Sequence, residues 1–170
     1  MKVDRIIQAG IVVMLFAFVG VLYSSLHDNV VKVGDKAPNF SIKTDAGKTL
    51  TVHDFGGKLL ILNFWATWCP PCINEVPSLN QLQRELGPKG LVVLGVSEDK
   101  DPQAYQDFLA RFRVSYMTSR DPSQETKLKY GTLQIPETYL IDSNGKVVEK
   151  VVSDTNWASE QMVRHVQSLL

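Results

Sequence analysis

The sequence predicts an α/β domain built on a mixed β-sheet flanked by helices, and three observations carry that prediction. Leu59, Leu60, Ile61, Leu62 and Phe64 form a short apolar run, the pattern of a strand buried on both faces, and a helical pattern follows from Ile73. Leu91 to Val96 repeats the buried-strand pattern beyond that helix. Thr138 to Ile141 and Val147 to Val152, separated by Ser143-Asn144-Gly145, then read as an antiparallel hairpin. The sum is a mixed sheet with helices on both faces.

From the amino terminus, residues 6–26 are uncharged and almost wholly apolar, with Gln8, Ser24 and Ser25 as the polar exceptions. At about 1.5 Å per residue such a helix is roughly 31 Å long, enough to cross the hydrocarbon core, so 6–26 is expected to be a transmembrane anchor. A cleaved signal peptide is the competing reading, but no small-x-small cleavage site follows and the run is long for a signal. Lys2 and Arg5 precede the span and Lys32 and Lys36 follow it, so charge alone does not orient it. Residues 27–36 form a tether of roughly 35 Å at full extension, leaving 37–170 for the folded domain.

Within that domain, Asp45-Ala46-Gly47-Lys48 is a turn between Phe40-Ser41-Ile42 and Leu50-Thr51-Val52, a β-hairpin ahead of the core. Gly56-Gly57 breaks the chain before the central strand. Ile73, Val76, Leu79, Leu82 and Leu86 recur at helical spacing until Gly87-Pro88, with Pro77 inside the helix. Asp101-Pro102 opens a helix carrying Tyr105, Phe108, Leu109 and Phe112. Val114 to Met117 reads as a short strand, and Asp121-Pro122-Ser123 opens a helix to Tyr130. Val163, Val166, Leu169 and Leu170 give the last helix its apolar stripe. Of 170 residues, 18 are basic and 18 acidic, which argues against a dedicated nucleic-acid binder. There is no internal repeat.

Both cysteines lie in Cys69-Pro70-Pro71-Cys72, where the strand turns into the helix, so none is left for a structural disulfide. A helix N-terminus offers unpaired N–H groups and the positive end of the dipole, which stabilise a thiolate on Cys69. Cys72, one turn on and expected to be more buried, is placed to resolve a mixed disulfide. Pro70 and Pro71 carry no N–H to donate to that sulfur and stiffen the turn. Zinc would need two further ligands, and His27, His53 and His165 are isolated, so no metal site is expected. Glu75 lies one helical turn beyond Cys72 on nearly the same face, as a solvated helix charge or as a proton acceptor. Trp68, beside Cys69, shields the sulfur or meets partners, and Trp65 belongs to the core or to a pocket wall.

Asn63 to Cys72 (NFWATWCPPC) resembles the active-site run of thioredoxin-like proteins, within them the membrane-anchored TlpA/ResA-like group with its CcmG-type members. Tyr130 to Asp142 resembles that family's cis-proline segment, and Val33 to Phe40 its opening, so the likeness spans about residues 33–152. The resemblance implies a thioredoxin-like fold with the N-terminal hairpin and an insertion near 101–119. It implies a cis Pro136 across the cysteines, with Ile135 offering backbone to a substrate strand. Asn63 stands where thioredoxins carry a buried proton-transferring Asp, and Glu75 resembles the acid that ResA-like proteins supply instead. Glu137 resembles a CcmG-type glutamate that helps form an acidic pocket.

The same resemblance implies a monomeric thiol–disulfide oxidoreductase with no cofactor beyond its own Cys69–Cys72 pair, on the extracytoplasmic (periplasmic) side of the cell membrane. Clients would be disulfide-containing proteins such as apocytochrome c with its C-x-x-C-H cysteines. Reducing equivalents would come from a membrane thiol-transfer protein. Three alternatives stay open. A high potential would make the pair an oxidant, and two thiolates would accept copper(I). A thiol peroxidase, as third alternative, would use P-x-x-x-T/S-x-x-C, against which Leu62 and Ala66 stand at the matching positions.

Overall fold

The computed structural model describes the backbone of residues 2–27 and 30–170. The chain divides into two units, Met1–Val30 and Val31–Leu170. In the first, helix α1 covers Lys2–His27. Side chains are described for 7–8 and 10–22 of it, and six consecutive ones, Ile11 to Phe16, are all exposed. Among the described residues no helix is long and apolar enough to cross a membrane. The expected span 6–26 reaches past the described side chains at both ends, and residues 28–29 of the expected tether lie outside the described residues.

In the second unit, β1 (Ser41–Lys43) and β2 (Thr49–Thr51) form the expected antiparallel hairpin. The main sheet has five strands in the order β5-β4-β3-β6-β7. They are β3 (Leu59–Trp65), β4 (Leu91–Ser97), β5 (Met117–Arg120), β6 (Glu137–Ile141) and β7 (Val147–Val152). The β3–β4 and β4–β5 pairs are parallel, β3–β6 and β6–β7 antiparallel, so the sheet is mixed. Around it lie α2 (Pro70–Leu86), α3 (Pro102–Arg111), α4 (Glu125–Lys129) and α5 (Glu160–Ser168).

Every residue of β3 is buried, which is why its sequence is apolar on both faces rather than alternating, with Asn63 the one polar residue. Leu59 and Ile61 pack with Leu79, Leu82 and Leu86 of α2, and with Trp157 and Val166. Leu60, Leu62 and Phe64 point the other way, toward Phe40, Phe55 and Tyr130. Helices flank both faces of the sheet, as expected, but unequally. Strands β3, β4 and β5 step in one direction, so their right-handed crossovers put α2 and α3 on one face, where α5 joins them. The opposite face is closed mainly by the segment ahead of β3 and by Tyr130 at the end of α4.

Two boundaries differ from expectation for identifiable reasons. The strand expected at Val114–Met117 runs instead over Met117–Arg120. The Val114 N–H is bonded to Leu109 O at 3.0 Å and the Ser115 N–H to Asn80 Oδ1 at 2.7 Å, so neither joins the ladder. The helix after Asp121 begins only at Glu125, because Asp121 Oδ2 takes the Thr126 N–H at 2.9 Å and holds the intervening turn.

Candidate active site

Strand β3 ends in the middle of the sheet, and the turn after it delivers the cysteines to the first turn of α2. Cys69 is the N-cap and Pro70 and Pro71 open the helix, where a missing N–H costs nothing. Cys69 and Cys72 are joined in a disulfide, with Cα atoms 5.3 Å apart. Cys72 N–H donates to Cys69 Sγ at 3.3 Å. Cys72, expected to be the more buried, is 3% exposed, and Cys69 is covered almost as fully at 4%. The reason is the loop before β6, whose Ile135 carbonyl oxygen lies 3.8 Å from Cys69 Sγ. A disulfide sulfur has no proton to give, so this is a contact that becomes a hydrogen bond only for a thiol.

The Ile135–Pro136 peptide is cis. Trp68, next to Cys69 in the chain, is 64% exposed, while the two cysteines cluster with Ala66 and Val76 and with the partly buried Ile73 and Ile135, an apolar surround. Trp65 is buried, its ring 5.8 Å from Tyr105 and 5.0 Å from Phe108, which makes it the inner wall. The turn itself is held by Asp99. Its carboxylate accepts from Thr67 N (2.9 Å), Thr67 Oγ1 (2.7 Å) and Ser97 Oγ (2.5 Å).

Glu75 is buried at 1% exposure, so it is not a solvated helix charge. Its Oε1 accepts from Trp157 Nε1 (2.8 Å) and Thr155 N (3.0 Å), and its Oε2 from Asn63 Nδ2 (3.3 Å). Asn63 also donates to Thr138 Oγ1 at 2.9 Å, tying β3, β6 and α2 together at this carboxyl. Burial pushes Glu75 up to about 7, and the charge of Asp154 adds to the rise, while the three donors oppose it. Burial likewise pushes the Tyr116 phenol up, with the Glu75 charge a further cause.

Glu137 is not brought together with Glu75. It pairs with Phe64 across the β3–β6 ladder while Thr138 pairs with Asn63, so Glu137 lies on the opposite face of the sheet from Glu75. There it accepts from Thr132 Oγ1 (2.8 Å) and Tyr139 Oη, and meets Lys150 Nζ at 2.9 Å. Its charge is compensated locally, and the Thr132 bond closes the cis-proline loop from behind. Asp99 and Trp157 escaped the sequence reading. They join the site from 32 and 82 positions away from their partners, beyond the reach of local spacing. Among the described residues no three His, Cys, Asp or Glu side chains are grouped to hold a metal.

A cysteine pair that closes and opens at a helix N-terminus, beneath a cis-proline loop on a mixed sheet, defines a thioredoxin-like thiol–disulfide oxidoreductase. The chain belongs to the AhpC/TSA family, whose sequence pattern matches residues 33–150. It is 30% identical over 139 residues to the thiol-disulfide oxidoreductase ResA of Bacillus thuringiensis subsp. konkukian, covering 82% of this chain and 79% of that protein. The Geobacillus thermodenitrificans ResA is 30% identical over 167 residues, covering 96% and 95%. Among solved structures, a Chlorobium tepidum protein described as thiol:disulfide interchange protein DsbE superposes with a TM-score of 0.76 at 32% identity. That match covers 82% of this chain and 98% of the other.

Proposed function

We propose that this chain is a membrane-tethered reductant of protein disulfides, working as a monomer on the extracytoplasmic side. The observation that carries the direction is the donor set at Cys69. Pro70 and Pro71 supply no N–H, and the Cys72 N–H is the donor that reaches the sulfur. Fewer donors leave the Cys69 thiolate less stabilised, so the dithiol gives up its electrons more readily.

In the reaction, the Cys69 thiolate attacks one sulfur of a client disulfide, that S–S bond breaks, and a client thiolate leaves and takes a proton. Cys72 passes its proton to Glu75 and attacks Cys69 Sγ, releasing the second client thiolate and forming the Cys69–Cys72 disulfide. Two electrons pass to the client. A carboxyl near neutrality, one helical turn from Cys72, suits the proton acceptor. Trp68 and the backbone at Ile135 would seat the client chain beside Pro136. The likeness to the ResA and CcmG groups favours cytochrome c precursors as clients, with a membrane thiol-transfer protein as donor. Peroxide chemistry, which the family's name would admit, is disfavoured because Ala66 offers no hydroxyl ahead of Cys69.

Equilibration of the full chain, in detergent, with a glutathione or dithiothreitol couple tests the direction. A potential near about −270 mV is expected for a reductant, and one near about −120 mV would make it an oxidant.

A further inference from the structure

The proton acceptor at Cys72 is held by a residue outside both the cysteine turn and the cis-proline loop. Trp157 is fully buried in the connection between β7 and α5. It shares Glu75 Oε1 with the Thr155 N–H, and two donors occupy both lone pairs of that oxygen. Oε2 receives only Asn63, so the free lone pair of the carboxylate lies there. We propose that Trp157 is a positioning residue for proton transfer, its indole N–H fixing Glu75 so that Oε2 takes the proton of Cys72. The proposal rests on the reading of Glu75 as that thiol's acceptor.

The alternative position for the carboxyl is close at hand. A groove of about 350 Å³ is lined by Asn74, Pro77, Ser78, Asp154, Thr155 and Asn156. Ser78 Oγ donates to Glu75 O at 2.8 Å and the Thr155 N–H to Glu75 Oε1, so this groove borders the glutamate. Without the indole, the side chain gains a route to water. The segment carrying Trp157 also touches the cis-proline loop, since Ser153 N–H donates to Pro136 O at 3.0 Å. One short connection therefore buttresses both the client-binding loop and the proton acceptor. The titratable groups that interact with Glu75 are Asp154 on this connection and Tyr116 ahead of β5, Cys72 precedes it by three residues on the same helix, and β3 and β6 present neutral Asn63 and Thr138.

The test measures the titration of Glu75 itself. In the full chain, the infrared carboxyl band that disappears in Glu75→Gln is followed against pH. Trp157→Phe removes the N–H and keeps most of the ring. Site-specific replacement of Trp157 by benzothienylalanine, which exchanges only N–H for sulfur, serves if the phenylalanine variant does not fold. Losing a donor to the charged form moves the midpoint upward by about one pH unit, a tenfold change in ionisation. The midpoint of Cys72-dependent exchange moves with it. An unmoved Glu75 midpoint in the folded variant overturns the role of Trp157. An exchange profile unchanged by Glu75→Gln sinks the acceptor reading instead, and the two failures are told apart because the first is read on the carboxyl and the second on the thiol.

Discussion

Glu75 is the residue whose chemistry depends most on where the fold puts it. Its pKa is moved by burial from an ordinary 4.5 to about 7, so the folded chain holds this proton more tightly than the unfolded chain does. The stability this confers is fully present below about pH 4.5 and is lost as pH rises through about 7. A shift of that size corresponds to stability on the order of 3 kcal/mol. Denaturant titrations of the oxidised protein should therefore show the wild type losing that amount relative to Glu75→Gln between pH 4.5 and 8. Parallel profiles for the two proteins would remove the perturbed carboxyl from the account. The Cys69-Pro70-Pro71-Cys72 pair and Glu75 were legible because helical spacing alone puts them on neighbouring turns. The partners of Glu75 were not: Trp157 is 82 positions downstream, and no local pattern marks a buried indole as a carboxylate's donor. Glu137 was expected, by resemblance, to help form an acidic pocket; the two-residue alternation of β6 puts it on the face away from Glu75, which local sequence does not reveal.

At the level of elements, the turn between β3 and α2 is held less by its own sequence than by the end of β4. Asp99 is 4% exposed and accepts both the backbone and the side chain of Thr67, two residues ahead of Cys69. Asp99→Ala strands the Thr67 N–H and the Ser97 hydroxyl, so a loss of about 2–4 kcal/mol is expected from lost charged hydrogen bonds and unpaired donors. Looser placement of Cys69 should accompany it, read as a changed pH dependence of alkylation in the reduced protein. A surface-like loss under about 0.5 kcal/mol would show that the turn holds itself. The strands that build this frame were readable where they are fully buried, as in β3 and β4, since a continuous apolar run needs no partner to be recognised. Strand β5 was misplaced by three residues because Val114 has the side chain of a strand but a backbone already engaged with α3.

Across the whole molecule, the two units obey different rules of burial. The unit from Val31 onward hides most of its large apolar residues in clusters on both faces of the sheet, with Trp68 and Leu133 among the exposed exceptions. Helix α1 does the reverse: Val13, Met14 and Phe16 are 67%, 70% and 74% exposed, and Ile11, Val12 and Leu15, on the intervening positions, about half. Six successive residues sweep more than a full helical turn, so over 11–16 this helix has no polar face to turn to water. Exposed apolar surface of that extent marks a contact with a protein partner or a membrane. If a bilayer supplies it, the full chain should stay with membranes through an alkaline carbonate wash. Lysines at the middle of an inserted helix cost about 2.5–3.5 kcal/mol each, so Val13→Lys with Phe16→Lys should move much of the chain to the supernatant. The disulfide site, built wholly within the second unit, should keep its potential in the released protein. Accessibility to protease added outside intact spheroplasts would agree with an extracytoplasmic domain. Wild-type chain washed free by carbonate, or a domain shielded from the protease, would sink the tethered reading while leaving the chemistry at Cys69 and Cys72 untouched.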